Sequence, residues 1–195
     1  MEPSIRQYIT DYVDPRFKKE EDLPFPTFIQ SLAKHTIITE VGTVERFGYY
    51  LKEGIVKISM LRDGEERILE FFFPGSFFCS YTSFLSQQPS EVWVEALTDC
   101  VVEVLRYDDM QKAYSHSIIA NKMGRIITEY YYIRKTEREK SFLTDSAPER
   151  YKKLMEYRPE LVQQIPVKMI AQYLGIQPES LSRIRKELSK TGHEH

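Results

Sequence analysis

Ala171 stands four residues before Gly175, and Leu181 and Ile184 follow that glycine by six and nine. Two helices that cross closely need a small residue where their backbones meet. A glycine makes the left-handed turn between them, and branched apolar residues at these offsets lock the second helix onto the first. Pro166 is placed to open the first helix, with Val167, Ile170, Ala171 and Leu174 on one face, and Pro178 to open the second, with Leu181, Ile184 and Leu188 inward. The outward side is left with Gln177, Glu179, Ser180, Ser182, Arg183 and Lys186, and Lys168 lies on the preceding helix. A glutamate can accept from cytosine N4, an arginine can bond guanine O6 and N7, and serine, lysine and early backbone amides suit phosphates. The chemistry this pattern can perform is base reading in the major groove of duplex DNA. Its plainer alternative is a helical hairpin with a polar face.

Charge fits the first reading. Residues 149–195 hold nine Lys/Arg against six Asp/Glu, whereas residues 1–148 hold eighteen against twenty-three. A mildly basic end on an acidic body can dock one face on phosphates while the rest stays away.

The elements that must position this tract can be read from proline, glycine and periodicity. Ser146 is a plausible cap for a helix that begins at Ala147-Pro148-Glu149-Arg150, with Tyr151, Leu154, Met155 and Leu161 as its buried stripe. Upstream, Ile119, Met123, Ile126, Tyr130 and Ile133 recur at steps of four, three, four and three, in a stretch free of proline from Pro89 to Pro148. Such a heptad seam packs either on the chain's own sheet or on the same helix of a second subunit. Tyr107-Asp108-Asp109 offers the N-cap of this helix.

From Thr36 to Leu105 the pattern is of short strands. Tyr49-Tyr50-Leu51 and Ile55-Val56-Lys57-Ile58-Ser59-Met60 flank a Lys52-Glu53-Gly54 turn, and Asp63-Gly64 is a hairpin signal before Ile68-Leu69-Glu70-Phe71-Phe72-Phe73. Val92–Ala96 and Cys100–Leu105 add two more. No helices are expected among these strands, which implies an antiparallel sandwich or barrel. Residues 1–35 read as helical but interrupted by Pro15, Pro24 and Pro26, with a solvated charge run at residues 18–22.

Other chemistries are poorly supplied. The four histidines, His35, His116, His193 and His195, all lie outside the strand region 36–105, so a cupin-like metal enzyme lacks its ligands. No nucleophile triad or phosphate-cradling glycine loop is present, and no enzymatic activity, metal or cofactor is expected. Two cysteines, Cys79 and Cys100, are too few for a disulfide framework, and Cys79 reads either as an inert small hydrophobe or as a redox-sensing thiol. No apolar run approaches the ~18–20 residues of a membrane span, and no signal peptide is visible. The expected compartment is the cytoplasm.

With this order in view, the chain resembles the Crp–Fnr family of bacterial transcription regulators. Two tracts carry the resemblance: Tyr50-Leu51-Lys52-Glu53-Gly54-Ile55-Val56, similar to the strand-turn-strand signature of the effector domain, and Ile165-Pro166 through Lys186, similar to the DNA-binding motif. The resemblance implies an α+β chain. An antiparallel β-roll (a double-stranded β-helix, cyclic-nucleotide-binding-like) would occupy residues 1–108, a long connecting and dimerisation helix 109–142, and an α-helical winged helix-turn-helix 143–195. It further implies a homodimer on double-stranded DNA, with RNA polymerase as partner and Glu179 and Arg183 as base readers. Pro178 stands where some cyclic-AMP-responsive members carry a base-reading arginine.

The effector region departs further. Family members that bind cyclic nucleotide carry Gly-Glu-Leu, whose glutamate holds the ribose, and an Arg-Ser/Ala pair, whose arginine neutralises the phosphate. Here Phe73, Pro74, Gly75, Ser76, Phe77 and Phe78 keep the lead-in, but Cys79-Ser80-Tyr81 and Ser90-Glu91 stand in those places. Cyclic AMP is therefore expected not to bind, with Glu91 repelling the anion. Phe71, Phe72, Phe73, Phe77, Phe78, Tyr81, Phe84 and Trp93 would either wall a pocket for an unknown, less charged effector or fill the cavity themselves. A regulator without ligand, acting through protein contacts, is the alternative.

Overall fold

Val94 and Ala96 are fully buried while Trp93 and Glu95, which alternate with them, are half-exposed. This period of two makes Trp93–Ala96 one strand of a sheet with a single buried face. In the computed structural model, which describes residues 3–17, 19 and 22–191, eight strands form two four-stranded sheets. The first contains β1 (Thr27–Leu32), β8 (Cys100–Arg106), β3 (Phe47–Glu53) and β6 (Phe77–Phe78), in that order. The second contains β2 (Ile37–Thr39), β7 (Trp93–Ala96), β4 (Val56–Arg62) and β5 (Glu65–Phe72). Tyr49 pairs with Val104 and with Phe78, and Ile58 pairs with Val94, all antiparallel.

The chain divides into two units. One comprises the residues up to Met60 with Glu70–Tyr132; the other comprises Leu61–Leu69 with the residues from Ile133 onward. In the first unit, Tyr49, Leu51, Val102 and Val104 from one sheet share a core with Val56, Ile58, Phe72, Val94 and Ala96 from the other. Gly54, at φ +93°, turns the chain between β3 and β4. A Cβ there would lie 2.4 Å from the Asp99 carbonyl oxygen, so only glycine fits. Helix α1 (Ile5–Tyr12) adds Ile5 and Ile9 to this core. Its cap Ser4 accepts from the Gln7 amide at 3.1 Å, and the first-turn amide of Ile5 donates to the buried Glu103 carboxyl at 2.9 Å. That amide has no partner within its own helix, so the sheet supplies one.

Four local expectations are corrected. The strands begin with Thr27, ahead of Thr36: the helix ends at Tyr12, and Pro24 and Pro26 precede β1 without preventing its six-residue pairing with β8. A short helix, α2 (Tyr81–Ser86), interrupts the strands. The helical stretch after the sheet is two helices, α3 (Tyr107–His116) and α4 (Ile118–Thr144). Ser117 between them is extended (φ −116°, ψ 117°), and its hydroxyl accepts from the Ala120 amide at 3.2 Å. The cap residue of α3 is Arg106, while Asp108 and Asp109 lie in its first turn, where the helix dipole favours carboxylates.

In the second unit the C-terminal part of α4 is followed by α5 (Ala147–Tyr157), α6 (Pro159–Gln164), α7 (Val167–Leu174) and α8 (Pro178–Thr191). Ser146 starts α5 as expected: its amide and hydroxyl donate to the Glu149 carboxylate at 2.8 and 2.7 Å. Tyr151 and Leu154 are buried as expected, but Met155 is exposed, and Leu161, expected on this same helix, is buried on α6 instead. Among the described residues past Thr144 there is no strand, so the strands of a wing are not formed. Between α5 and α7 the tract Pro159-Glu160-Leu161-Val162-Gln163-Gln164 forms a helix with Pro159 at its start and Leu161 buried.

Candidate DNA interface and effector region

The crossing of α7 and α8 has the geometry the spacing requires. Gly175 caps α7 at φ 68°, ψ 34°, and the Ile176 amide donates back to the Ala171 carbonyl at 3.0 Å, closing the left-handed turn. Ala171 and Leu181 are fully buried, and Ile184 nearly so, while Leu188 is half-buried. Truncating Leu181 to alanine would cost ~2–5 kcal/mol of stability.

Against this packed side, Gln177, Glu179, Ser182, Arg183 and Lys186 are exposed, Ser180 is half-buried, and Lys168 on α7 is exposed. The Ser182 hydroxyl donates to the Pro178 carbonyl at 3.0 Å, and Arg183 Nη2 reaches the Ser180 hydroxyl at 3.4 Å. These side chains are tied only loosely within their own helix. Arg185 is also exposed.

The expected dimer seam splits between two faces of α4. Met123 is 1% exposed and packs in the core of its own unit with Ala120, and Ile119 leans on the same core. Met123 is thus a core residue, which corrects its place in the seam. Ile126 is half-buried, whereas Tyr130 and Ile133 are 52% and 60% exposed.

The effector region is closed by its own side chains. The hydroxyls of Ser80 and Ser90 lie 2.7 Å apart, and both residues are buried. Ser90 also donates to the Val92 carbonyl at 2.8 Å, and its backbone is bonded to Gly42 and Thr43. Beside them sits Glu45, a group that no spacing had marked. It is 3% exposed and lies in the irregular stretch between the Val44–Pro89 bridge and β3. Its carboxyl accepts from the Thr39 hydroxyl, the Phe47 amide (3.0 Å) and the Ser80 amide (3.4 Å), and its own amide donates to the Ser83 hydroxyl at 3.0 Å. Burial pushes this carboxyl above the ordinary range, and the hydrogen bonds partly offset the shift.

Glu91, expected to repel an anion, is exposed; the buried carboxyl is Glu45. Tyr81 points its hydroxyl to Thr128 of α4 at 2.7 Å. Gly75 makes the turn after half-buried Phe73, its amide donating to the Leu51 carbonyl at 2.8 Å. Cys79 is buried, and burial, reinforced by Glu45, holds its thiol well above the ordinary thiol range.

Most of the aromatics fill the interior. Phe78 stacks on Tyr49 at 5.1 Å, Phe77 packs on Tyr50 at 4.8 Å, and Phe84 meets Tyr107 edge-on at 5.2 Å. Glu45 also lines a cavity of about 390 Å³, but the aromatic lining of that cavity is Phe28, Phe47 and Tyr49, none of the eight expected residues. Among the described residues no three His, Cys, Asp or Glu side chains gather to hold a metal ion. His193 and His195 lie outside the described residues. No helix among the described residues is long and apolar enough to cross a membrane.

Residues 29–117 match the family model of the cyclic nucleotide-binding domain. FixK2 from Bradyrhizobium japonicum superposes with a TM-score of 0.68 at 22% identity over 86% of either chain. A regulator assigned to the crp/fnr family from Eubacterium rectale gives 0.66 at 17% identity, over 85% of this chain and 80% of that one. The chain has the Crp–Fnr fold. A mutant of CooA from Carboxydothermus hydrogenoformans shares that fold at TM-score 0.65 and 16% identity, over 93% of this chain and 85% of its own. No curated protein sequence matches the chain.

Proposed function

We propose that the chain is a sequence-specific DNA-binding transcription regulator of the Crp–Fnr type, without enzymatic activity. The observation that carries this reading is the face of α8. It is exposed and polar, and it is held by Ala171, Gly175, Leu181 and Ile184 in the crossing a helix-turn-helix needs. Glu179 and Arg183 read bases; Gln177, Ser180, Ser182, Lys186 and Lys168 contact phosphates or flanking bases. Residues 1–108 serve as the sensor domain, 109–142 as the connecting stretch and 143–195 as the DNA-binding domain. Two copies pair along α4 through Tyr130 and Ile133, which would set the recognition helices ~34 Å apart on a near-palindromic operator. RNA polymerase is the further partner of such a regulator.

The sensor domain in this reading does not take cyclic AMP. The Ser80–Ser90 hydrogen bond and the neighbouring Glu45 carboxyl support this, because an anion entering here would find no guanidinium and a buried acid. Regulation without ligand, or by a less charged effector, follows.

Selection of genomic fragments by gel shift at graded salt tests the proposal. A specific complex whose log affinity falls against log salt by about 0.9 per phosphate contact is expected. Binding to every fragment alike, or to none, would overturn it.

A further inference from the structure

The last two carbonyls of α7, just before the Gly175 turn, are each held by an arginine from outside the helix-turn-helix. Arg138, on the C-terminal part of α4, donates through Nη2 to the Tyr173 carbonyl at 2.8 Å and to the Ile68 carbonyl of β5 at 3.4 Å. Arg150, on α5, donates through Nη2 to the Leu174 carbonyl at 3.4 Å and through Nη1 to the Asp145 carbonyl at 2.7 Å. Carbonyls at a helix C-terminus lack partners within the helix and carry the negative end of its dipole, so cations are favoured there.

Rings join the two arginines. The Arg138 guanidinium lies 3.8 Å from the Tyr173 ring centroid and 4.9 Å from that of Phe142, and the Arg150 guanidinium lies 5.0 Å from the Phe142 centroid. Phe142 also abuts the turn itself: a Cβ on Gly175 would come within 3.1 Å of its Cε1. A planar guanidinium that stacks and donates in one plane fixes orientation as a flexible ammonium does not.

We propose that Arg138 and Arg150, with Phe142 between them, form the seat that sets the angle at which α7 and α8 leave α4, and hence the half-site spacing that the protein accepts. The inference rests on reading α8 as the recognition helix of a regulator paired along α4. Arg138 and Arg150 are positioning residues that act through the α7 carbonyls.

Selection from a random duplex library, repeated with operators whose half-sites are moved apart or together by about one base pair, tests this. The wild-type chain should enrich one half-site sequence at one spacing. Arg138→Met should keep the half-site sequence, accept the altered spacings, and bind the original operator about tenfold more weakly. Arg138→Lys should fall between the two. Phe142→Leu, which keeps an apolar filler but removes the ring, provides a second variant should Arg138→Met fail to fold; it should relax spacing in the same way. If a folded variant of either kind retained wild-type spacing and affinity, the seat would be overturned. A wild-type chain that enriches no sequence would instead remove the reading on which the seat rests.

Discussion

The Ser80 and Ser90 hydroxyls, ten residues apart in the chain, meet at 2.7 Å in a place nearly sealed from solvent. Each gives the other a partner, so neither waits for a ligand. A hydroxyl pair offers a phosphate no charge, and the Glu45 carboxyl bonded to the Ser80 amide stands on the same side.

Cyclic AMP should therefore leave the protein unchanged. Losing the charge-assisted contact to an arginine forfeits about 1.5–3 kcal/mol. A ligand at a hundred times its Kd raises stability by ~2.7 kcal/mol. Thermal melting with millimolar cyclic AMP is expected to show no rise in Tm, and calorimetric titration no saturable heat. A clear rise would show that the Ser80–Ser90 closure opens.

Arg183→Ala should relax base preference at one position per half-site and weaken specific binding by ~1–3 kcal/mol. Exposed and bonded only to Ser180, the side chain can be removed with little effect on the melting temperature. Unchanged binding to a set of single-base operator variants would move the reading of bases to another residue.

Ile133→Asp tests the pairing of two copies. The side chain is 60% exposed, so the substitution should leave the fold intact. Sedimentation is expected to show a shift from dimer to monomer, with DNA affinity falling as the second half-site is lost. A dimer that persists would place the interface elsewhere than on Tyr130 and Ile133.

Glu45 makes the first unit sensitive to pH in a direction opposite to most carboxylates. Burial raises its folded value above the ordinary 4.5, so the folded chain binds this proton more tightly than the unfolded chain does. Its contribution to stability is fully present at low pH and declines as the pH rises through that interval. Glu45→Gln, which imitates the protonated group, should flatten this part of the profile. Melting of both forms between about pH 5 and about pH 8 measures it; identical slopes would remove Glu45 as the cause.

The helix-turn-helix was legible because its determinants are local. Ala171, Gly175, Leu181 and Ile184 lie within fourteen residues, and the spacing alone dictates how two helices cross. The strands around Gly54 and Asp63-Gly64 were legible for the same reason. Glu45 was not, since its burial depends on Thr39, Ser80 and Ser83 folding around an irregular stretch with no period of its own. The heptad seam misled in part. Met123 and Tyr130 share a spacing, yet the sheet claims the first and leaves the second in solvent. The break at Ser117 is set by one hydroxyl and one amide, too little to disturb a helical pattern. Strand β1 was hidden behind Pro24 and Pro26, and its pairing with β8 joins residues more than sixty positions apart.

The bond between Ile5 and Glu103 shows that the folding unit is larger than the matched segment. The segment that matches the cyclic nucleotide-binding domain begins at residue 29, yet a buried carboxyl inside it, on β8, has the amide of residue 5 as a partner. Thr27, the other partner, also precedes the segment. A fragment cut at residue 29 would thus be a truncated folding unit: Glu103 would keep its place in the sheet and lose both donors. Expression of this region alone should start no later than Ser4, so that the cap of α1 is included.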